Sequence, residues 1–260
     1  MPPPPMDLAD LTWPTVAALP RTTPVVIPIA ALEQHGHHLP LFTDSLLLGE
    51  VVRRMRMELA DEVLFAPLMW LGNSHHHMGK PGTLSAEPRT YLDLLSGLAR
   101  NLLEHGFHRI VFLNGHGGND VPARQVVFEL RQAHRDVEGL LVLAATYWNL
   151  AAPPSMPGLH QREMGHACEW ETSMVLAIAP HLVVGHGEVA AVPPGAGFEP
   201  AARGWTMSDR SDPGHIGWPS LATREKGEAL LEAFSRGGVA LLRRMRRWDG
   251  VSWDAPADER

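Results

Sequence analysis

Cysteine is nearly absent. Cys168 is the only one among 260 residues, so no disulfide framework can form within the chain, and a reducing compartment is expected. No apolar run approaches the roughly 18 to 20 residues that span a bilayer. The start, "MPPPPMDLADL", has neither a basic n-region nor a continuous apolar stretch, so no secretory leader, no membrane partner and a cytoplasmic location are expected. Positive charge is also short. Lys plus Arg number 22 against 29 Asp plus Glu, and a formal charge of -7 gives no electrostatic reason to expect nucleic acid. The two local exceptions, "RRMRM" at 53–57 and "RRMRRW" at 243–248, lie on helical patterns and read as solvated helix faces.

What is present is a chain able to form a sizeable core. With 45% hydrophobic residues, one α/β domain spanning 1–260 is the simplest organisation, entered through a proline-rich arm at 1–10. Four short stretches, 24–32, 63–71, 109–115 and 140–148, are apolar on both faces and read as strands of a buried parallel sheet. Segments 45–60, 88–105 and 121–136 carry apolar residues at three- and four-residue spacing and read as crossover helices. Pro88 suits the first turn of one of them, and Gly106 its C-terminal cap. A last helix is expected over about 221–246, and the Pro/Gly-rich segments 150–162 and 187–219 read as long loops roofing the sheet.

In an open α/β sheet, ligands bind beyond the carboxyl ends of the strands. Reactive side chains collect there: "EQHGHH", "GNSHHHMGKPGT" and "NGHGGN" each follow an expected strand, and "HACEWETS" opens a further helix. These four windows hold eight of the 15 histidines. Glu33 and His35, two apart in an extended segment, project to one side and can share a metal centre. Asp44, at the start of a helix, is favoured there by the helix dipole as a cap, or can bridge two ions. Carboxylates mixed with imidazoles suit Zn, Mn or Fe, and the lack of thiolates argues against a closed structural zinc site. "NGHGGN" reads equally as a glycine-rich turn with an anion nest or as part of a metal site; it lacks the nucleotide-loop patterns. One of His75, His76 and His77 is expected to line the site, while His37 and His38 shape the loop or the pocket wall. Glu169 and Glu171 diverge by about 200° on a helix, so one is a ligand candidate and the other structural.

Together and in order, "PIAALEQHGHHLPLFTD" (28–44), "GNSHHHMGKPGTLS" (72–85), "FLNGHGGN" (112–119), "HACEWETSMVLAIAP" (166–180) and "GWPSLATREKGEALLEAF" (217–234) resemble the creatininase (creatinine amidohydrolase) family. The resemblance covers nearly the whole chain. It implies a three-layer α/β/α sandwich with a mostly parallel central sheet, two divalent metal ions per chain (Zn, Mn or Fe), and homo-oligomers, commonly hexamers. By matching position, Glu33 and His116 hold one metal, His35 the other, Asp44 bridges them, and His166 is catalytic. Creatininases proper carry a further glutamate two residues after the third-window histidine, where this chain has Gly118. In the branch with "HAGExETS" the substitute is expected at Glu169 rather than Glu171. Ser74, His77, Trp148 and Arg162 are the expected substrate-binding residues. Trp148 and Arg162 stand where creatininases proper carry gating tryptophans, and the planar fork of an arginine suits a substrate carboxylate or phosphate. Cys168 replaces the usual glycine and reads as a buried, inert thiol.

The expected reaction is hydrolysis of a C–N bond in a cyclic or linear small-molecule amide, creatinine or a relative. Water held between the two metals attacks the carbonyl and His166 shuttles the proton. Within the same class, a deformylase of formamidopyrimidine-type nucleotides and a peptidase trimming a cofactor-precursor peptide are alternatives. A non-catalytic metal or small-ligand binding protein on the same scaffold is the alternative from a different class.

Overall fold

In the computed structural model, which describes residues 6–156 and 158–256, five short strands form one sheet. They are β1 (Met6–Asp7), β2 (Val25–Ile29), β3 (Leu64–Phe65), β4 (Arg109–Asn114) and β5 (Leu141–Thr146). All pairings are parallel, in the order β1-β3-β2-β4-β5. The helices are α1 (Trp13–Ala18), α2 (Thr43–Leu59), α3 (Pro88–Glu104), α4 (Asp120–Ala133), α5 (Glu169–Ile178), α6 (Met207–Arg210) and α7 (Arg224–Arg247). Successive side chains of a strand point to opposite faces. Val26, Val111 and Leu113 therefore pack with α2, α5 and α7, while Ile27, Ile29, Ile110 and Phe112 pack with α3 and α4. The result is the α/β/α sandwich that the family resemblance implies.

The four expected strands and the main helices are present, with differences at both ends of the reading. Residues 1–5 of the expected proline-rich arm lie outside the described residues, but Met6 and Asp7 are not arm: they form β1, with Leu8 N–H donating to the Phe65 carbonyl at 2.8 Å. β3 is two residues long rather than nine: Pro67, which has no N–H to donate, comes two residues after Phe65, and pairing with β2 resumes only as a single bridge at Met69. Pro28 sits inside central strand β2. Ala30 N–H points toward the β3 side, to the Met69 carbonyl at 2.9 Å, so the nitrogen of Pro28 two residues earlier faces the same side, at the break in pairing between Phe65 and Met69.

Two contacts fix the helical layer that carries half of the site. Gly227 of α7 lies so close to α5 that a Cβ there would come 1.9 Å from the Ser173 carbonyl oxygen, so only glycine permits the approach. The end of α7 is tied to the sheet by Arg109, whose guanidinium donates to the carbonyls of Met245, Arg246 and Trp248. The basic clusters are neutralised between helices: Arg54 pairs with Glu50 and Glu228, Arg243 with Glu58, and Arg246 with Glu62. They are solvated faces, as expected. No described helix is long and apolar enough to cross a membrane.

Candidate metal centre

The chain runs from β2 to β3 on one side of the sheet and then to β4 on the other, so the strand order reverses at β2 and opens a crevice beyond the β2 and β4 ends. Glu33 and His35 leave β2 there, His116 leaves β4, and Asp44 enters from the first turn of α2. The His75–His77 turn, His166 and Glu171 of α5 complete the ring.

Asp44 is the hinge of the geometry. Its Oδ1 lies 3.2 Å from His35 Nε2, and its Oδ2 lies 3.0 Å from His116 Nδ1. Glu33 Oε1 is 3.3 Å from His116 Nδ1, and Glu171 Oε1 is 3.6 Å from His35 Nε2. All five side chains are at most 5% exposed. Three of these inward atoms, Glu33 Oε2, His35 Nε2 and Asp44 Oδ2, have no hydrogen-bond partner among the described residues. Each such buried orphan costs about 1–3 kcal/mol unless something meets it. Divalent cations would meet all three, and the oxygen and nitrogen donors match Zn, Mn or Fe. The residues fit divalent metal. Asp44 is not the N-cap of α2: Phe42 holds that position, and Asp44 lies in the first turn.

Electrostatics point the same way. Burial opposes charge on His35, but Asp44 and Glu171 outweigh it and raise its pKa well above the ordinary value. Burial likewise works against the His116 cation, yet Glu33 and Asp44 hold its pKa at about 10. Burial would raise the Asp44 carboxyl, but His35 and His116 hold it far below the carboxylate range. The pocket is built to hold positive charge between its carboxylates.

The surrounding bonds aim the ligand atoms. His116 Nε2 faces the Asn73 carbonyl at 3.1 Å and Ser74 Oγ at 3.2 Å, which leaves Nδ1 for the centre. Asn114 grips the His116 backbone from both sides, accepting from its N–H and donating to its carbonyl. Asn119 donates to Ala30 and accepts from Asn73, tying three loops together. The two asparagines of "NGHGGN" are thus staples. Gly118 is glycine of necessity: a Cβ would meet the Asn73 oxygen at 2.2 Å and His116 Nε2 at 2.5 Å.

Gln34 sets the proton positions of two further imidazoles. Its amide donates to His77 Nδ1 at 2.8 Å and to the Gly214 carbonyl at 2.8 Å. His77 therefore carries its proton on Nε2, 3.3 Å from Glu33 Oε1; burial and the neighbouring imidazoles hold its pKa near about 2, so it is neutral. His166 Nε2 donates to the Gln34 carbonyl at 2.8 Å, leaving the Nδ1 lone pair 3.7 Å from Glu33 Oε1. Burial, then His35 and His77, keep His166 well below the usual pKa.

Several expectations are corrected. Glu169 is not in the centre: its carboxylate receives Lys226 Nζ at 2.6 Å and Gln161 N–H at 2.7 Å, on the far side of α5. Glu171 takes the place, its Oε2 accepting the Cys168 N–H in a capping box while Oε1 faces His35. Arg162 is exposed and does not line the cavity. Ser74 is fully buried behind His116, faces its Nε2 and does not line the cavity. Two of the triple histidine line the cavity, not one: His77 and also His76, whose ring stacks on His116 at 5.7 Å. His75 is turned outward to Ser85 and Glu87. Trp148 lines the cavity, and His38 braces the wall by donating to the Ala167 carbonyl. Cys168 is buried, its thiol pushed up to about 12 by burial first and then by Glu171. The cavity is about 780 Å³, and the 187–219 segment supplies its roof, including Arg203, Trp205 and Arg210, which sequence reasoning did not single out.

Comparison with known proteins agrees with this geometry. The family model for creatininase, described as creatinine amidohydrolase, matches residues 9–242. The creatinine amidohydrolase of Pseudomonas putida is 29% identical over 91% of this chain and 95% of its own length. The mycofactocin precursor peptide peptidase of Mycolicibacterium smegmatis is 32% identical over 86% of this chain and 85% of its own. The zinc–zinc form of a creatininase mutant superposes with a TM-score of 0.73 at 29% identity, over 91% of this chain and 96% of that one.

Proposed function

The chain belongs to the creatininase family of hydrolases acting on C–N amide bonds, and on that premise we propose that it works with two divalent metal ions. Glu33, His116 and Asp44 would hold the first; His35, Glu171 and Asp44 would hold the second. The observation that carries this reading is Asp44, a buried carboxylate whose two oxygens each face a different imidazole at 3.0 and 3.2 Å. His76, which can gather with Glu33 and His116 around one ion, flanks the first position.

When bound, such a metal pair polarises an amide carbonyl and makes water a competent nucleophile near neutral pH. The chain's own residues supply the rest. His166, neutral and with its Nδ1 lone pair turned to the centre, accepts a proton there and returns it to the leaving nitrogen. The Gln34 carbonyl on Nε2 holds that tautomer. His77 Nε2 lies 3.3 Å from Glu33 Oε1 and flanks that carboxylate. Trp148, Trp205 and Met164 give the cavity apolar walls.

The substrate is an amide larger than creatinine. A cavity of about 780 Å³ lies within the range of roughly 300–1,000 Å³ that encloses drug-sized ligands, which favours a linear, peptide-like amide over a small ring. Asp44→Ala tests the metal reading. After chelation and add-back of Zn, Mn or Fe, the native protein is expected to hold about two metals per chain and the variant none, with amide hydrolysis lost. Full metal content in the variant would overturn the bridge.

A further inference from the structure

The charged lining of the cavity is divided by sign. Glu33, Asp44 and Glu171 lie on the floor among the histidines, and the only other charged side chains among the lining residues are Arg203 and Arg210 of the roof. Neither guanidinium is in an ion pair among the described residues. The nearby Asp209 feels Arg203, but its carboxylate is held by Thr206 N–H at 2.6 Å and Thr206 Oγ1 at 2.8 Å.

Arg210 is held in place at the cavity. It stacks over the Trp205 ring at 4.8 Å and donates to the Pro194 carbonyl at 3.4 Å. Trp205 in turn meets His76 edge-on at 4.9 Å, and His76 stacks on His116. Arg210 is thus linked through two ring contacts to the metal floor. Arg203 rests over Phe198 at 5.8 Å on the same roof segment.

We propose that Arg203 and Arg210 form an anion subsite that receives a carboxylate or phosphate group borne by the amide substrate, at a distance from the bond that is cut. The planar forks of two arginines match such oxyanions in geometry as well as charge. With two divalent cations on the floor, three carboxylates leave the floor net positive, and the roof adds two more positive charges. In a chain of formal charge -7, this cavity is a local trap for anions. Trp205 and Trp148 line the path between floor and roof, a surface for the apolar body of the substrate.

The inference rests on the hydrolase reading above, and a binding experiment separates the two. N-acetyl-glycylglycine and its carboxamide are titrated calorimetrically into the metal-loaded native protein and into the R203Q/R210Q variant, with metal content measured on both. The free acid should bind the native protein at least about tenfold more tightly than the carboxamide, and the ratio should fall to near one in the variant at unchanged metal content. Inorganic phosphate that displaces the acid from the native protein assigns phosphate to the subsite as well; phosphate that does not compete assigns the carboxylate. Equal binding of acid and carboxamide, no binding of the acid, or a preference that persists in the variant overturns the proposal, the last because the carboxylate then sits on the metals. Failure of the hydrolase reading would show separately, as native protein that takes up no metal.

Discussion

Replacing Glu169 and Glu171 in turn by glutamine should give opposite phenotypes, because the two side chains leave α5 in different directions. Glu169 is 0% exposed and its carboxylate takes Lys226 Nζ, Gln161 N–H and His160 N–H, all donors. Glutamine would turn an NH₂ group toward at least one of them, and would leave the 7%-exposed Lys226 ammonium with only the Leu221 carbonyl for compensation. Breaking a buried pair from one side costs about 3–5 kcal/mol. At about 2–4 °C per kcal/mol for a chain of this size, Glu169→Gln should melt on the order of 10 °C lower, with metal content per folded chain unchanged. Glu171→Gln keeps an N3 residue able to close the capping box, so it should lose less than about 1 kcal/mol. It exchanges a charged ligand for a neutral one, and should lose one of the two metals and most hydrolysis. Thermal melts and elemental analysis of both variants decide. Metal loss in Glu169→Gln with native melting, or two retained metals in Glu171→Gln, would refute the assignment.

Two other perturbations probe the scaffold of the centre. In Gly118→Ala the new Cβ meets the Asn73 backbone oxygen, His116 Nε2 and His76 Cε1 at 2.2, 2.5 and 2.8 Å, so His116 must turn. Metal affinity should fall by about tenfold or more, with about 1–3 kcal/mol of destabilisation, both readable by competitive chelation and urea unfolding; native affinity would show that the contact relaxes without moving the ligand. Burial, and after it His215, hold His38 at about 4, whereas the unfolded chain takes up that proton near 6.5. The stability this contributes is complete above 6.5 and is lost as pH falls toward 4. Urea midpoints from pH 7.5 to 4.5 should fall less steeply in His38→Gln than in the native protein, and parallel slopes would remove His38 from the account.

The layers were readable because the code for them is local. Runs apolar on both faces mark buried parallel strands, and three- and four-residue spacing marks the helices that cover them. What escaped was too short or too dependent on partners. β1 is two residues within a stretch dominated by proline, and its existence rests on the edge that β3 offers. The early end of β3 had a local signal in Pro67, whose nitrogen has no hydrogen to donate to a neighbouring strand. Pro28 is tolerated inside β2 because its nitrogen faces the break in pairing between Phe65 and Met69, a fact about another segment.

The same boundary between local and distant information runs through the centre. Glu33, His35, Asp44, His116 and His166 each lie near a strand end or a helix start, so the strand-end rule brought their windows together, while the roles of His116 and His166 came from the family resemblance. Helical geometry also showed that Glu169 and Glu171 cannot share a role. It could not say which faces His35 and Asp44, because the deciding partner, Lys226, lies 57 positions away on α7 and reaches Glu169 only because Gly227 lets α7 press against α5. Arg162 raises the same problem in the roof. The chemical argument for an arginine facing an anionic substrate was attached to Arg162 because it matches a gating position of the family, yet the loop at 150–162 turns it outward and the 187–219 segment brings Arg203 and Arg210 over the cavity instead. Residue type and spacing therefore identify the chemistry that the site requires, while the helix packing and the long roof segment select which copy of a residue performs it.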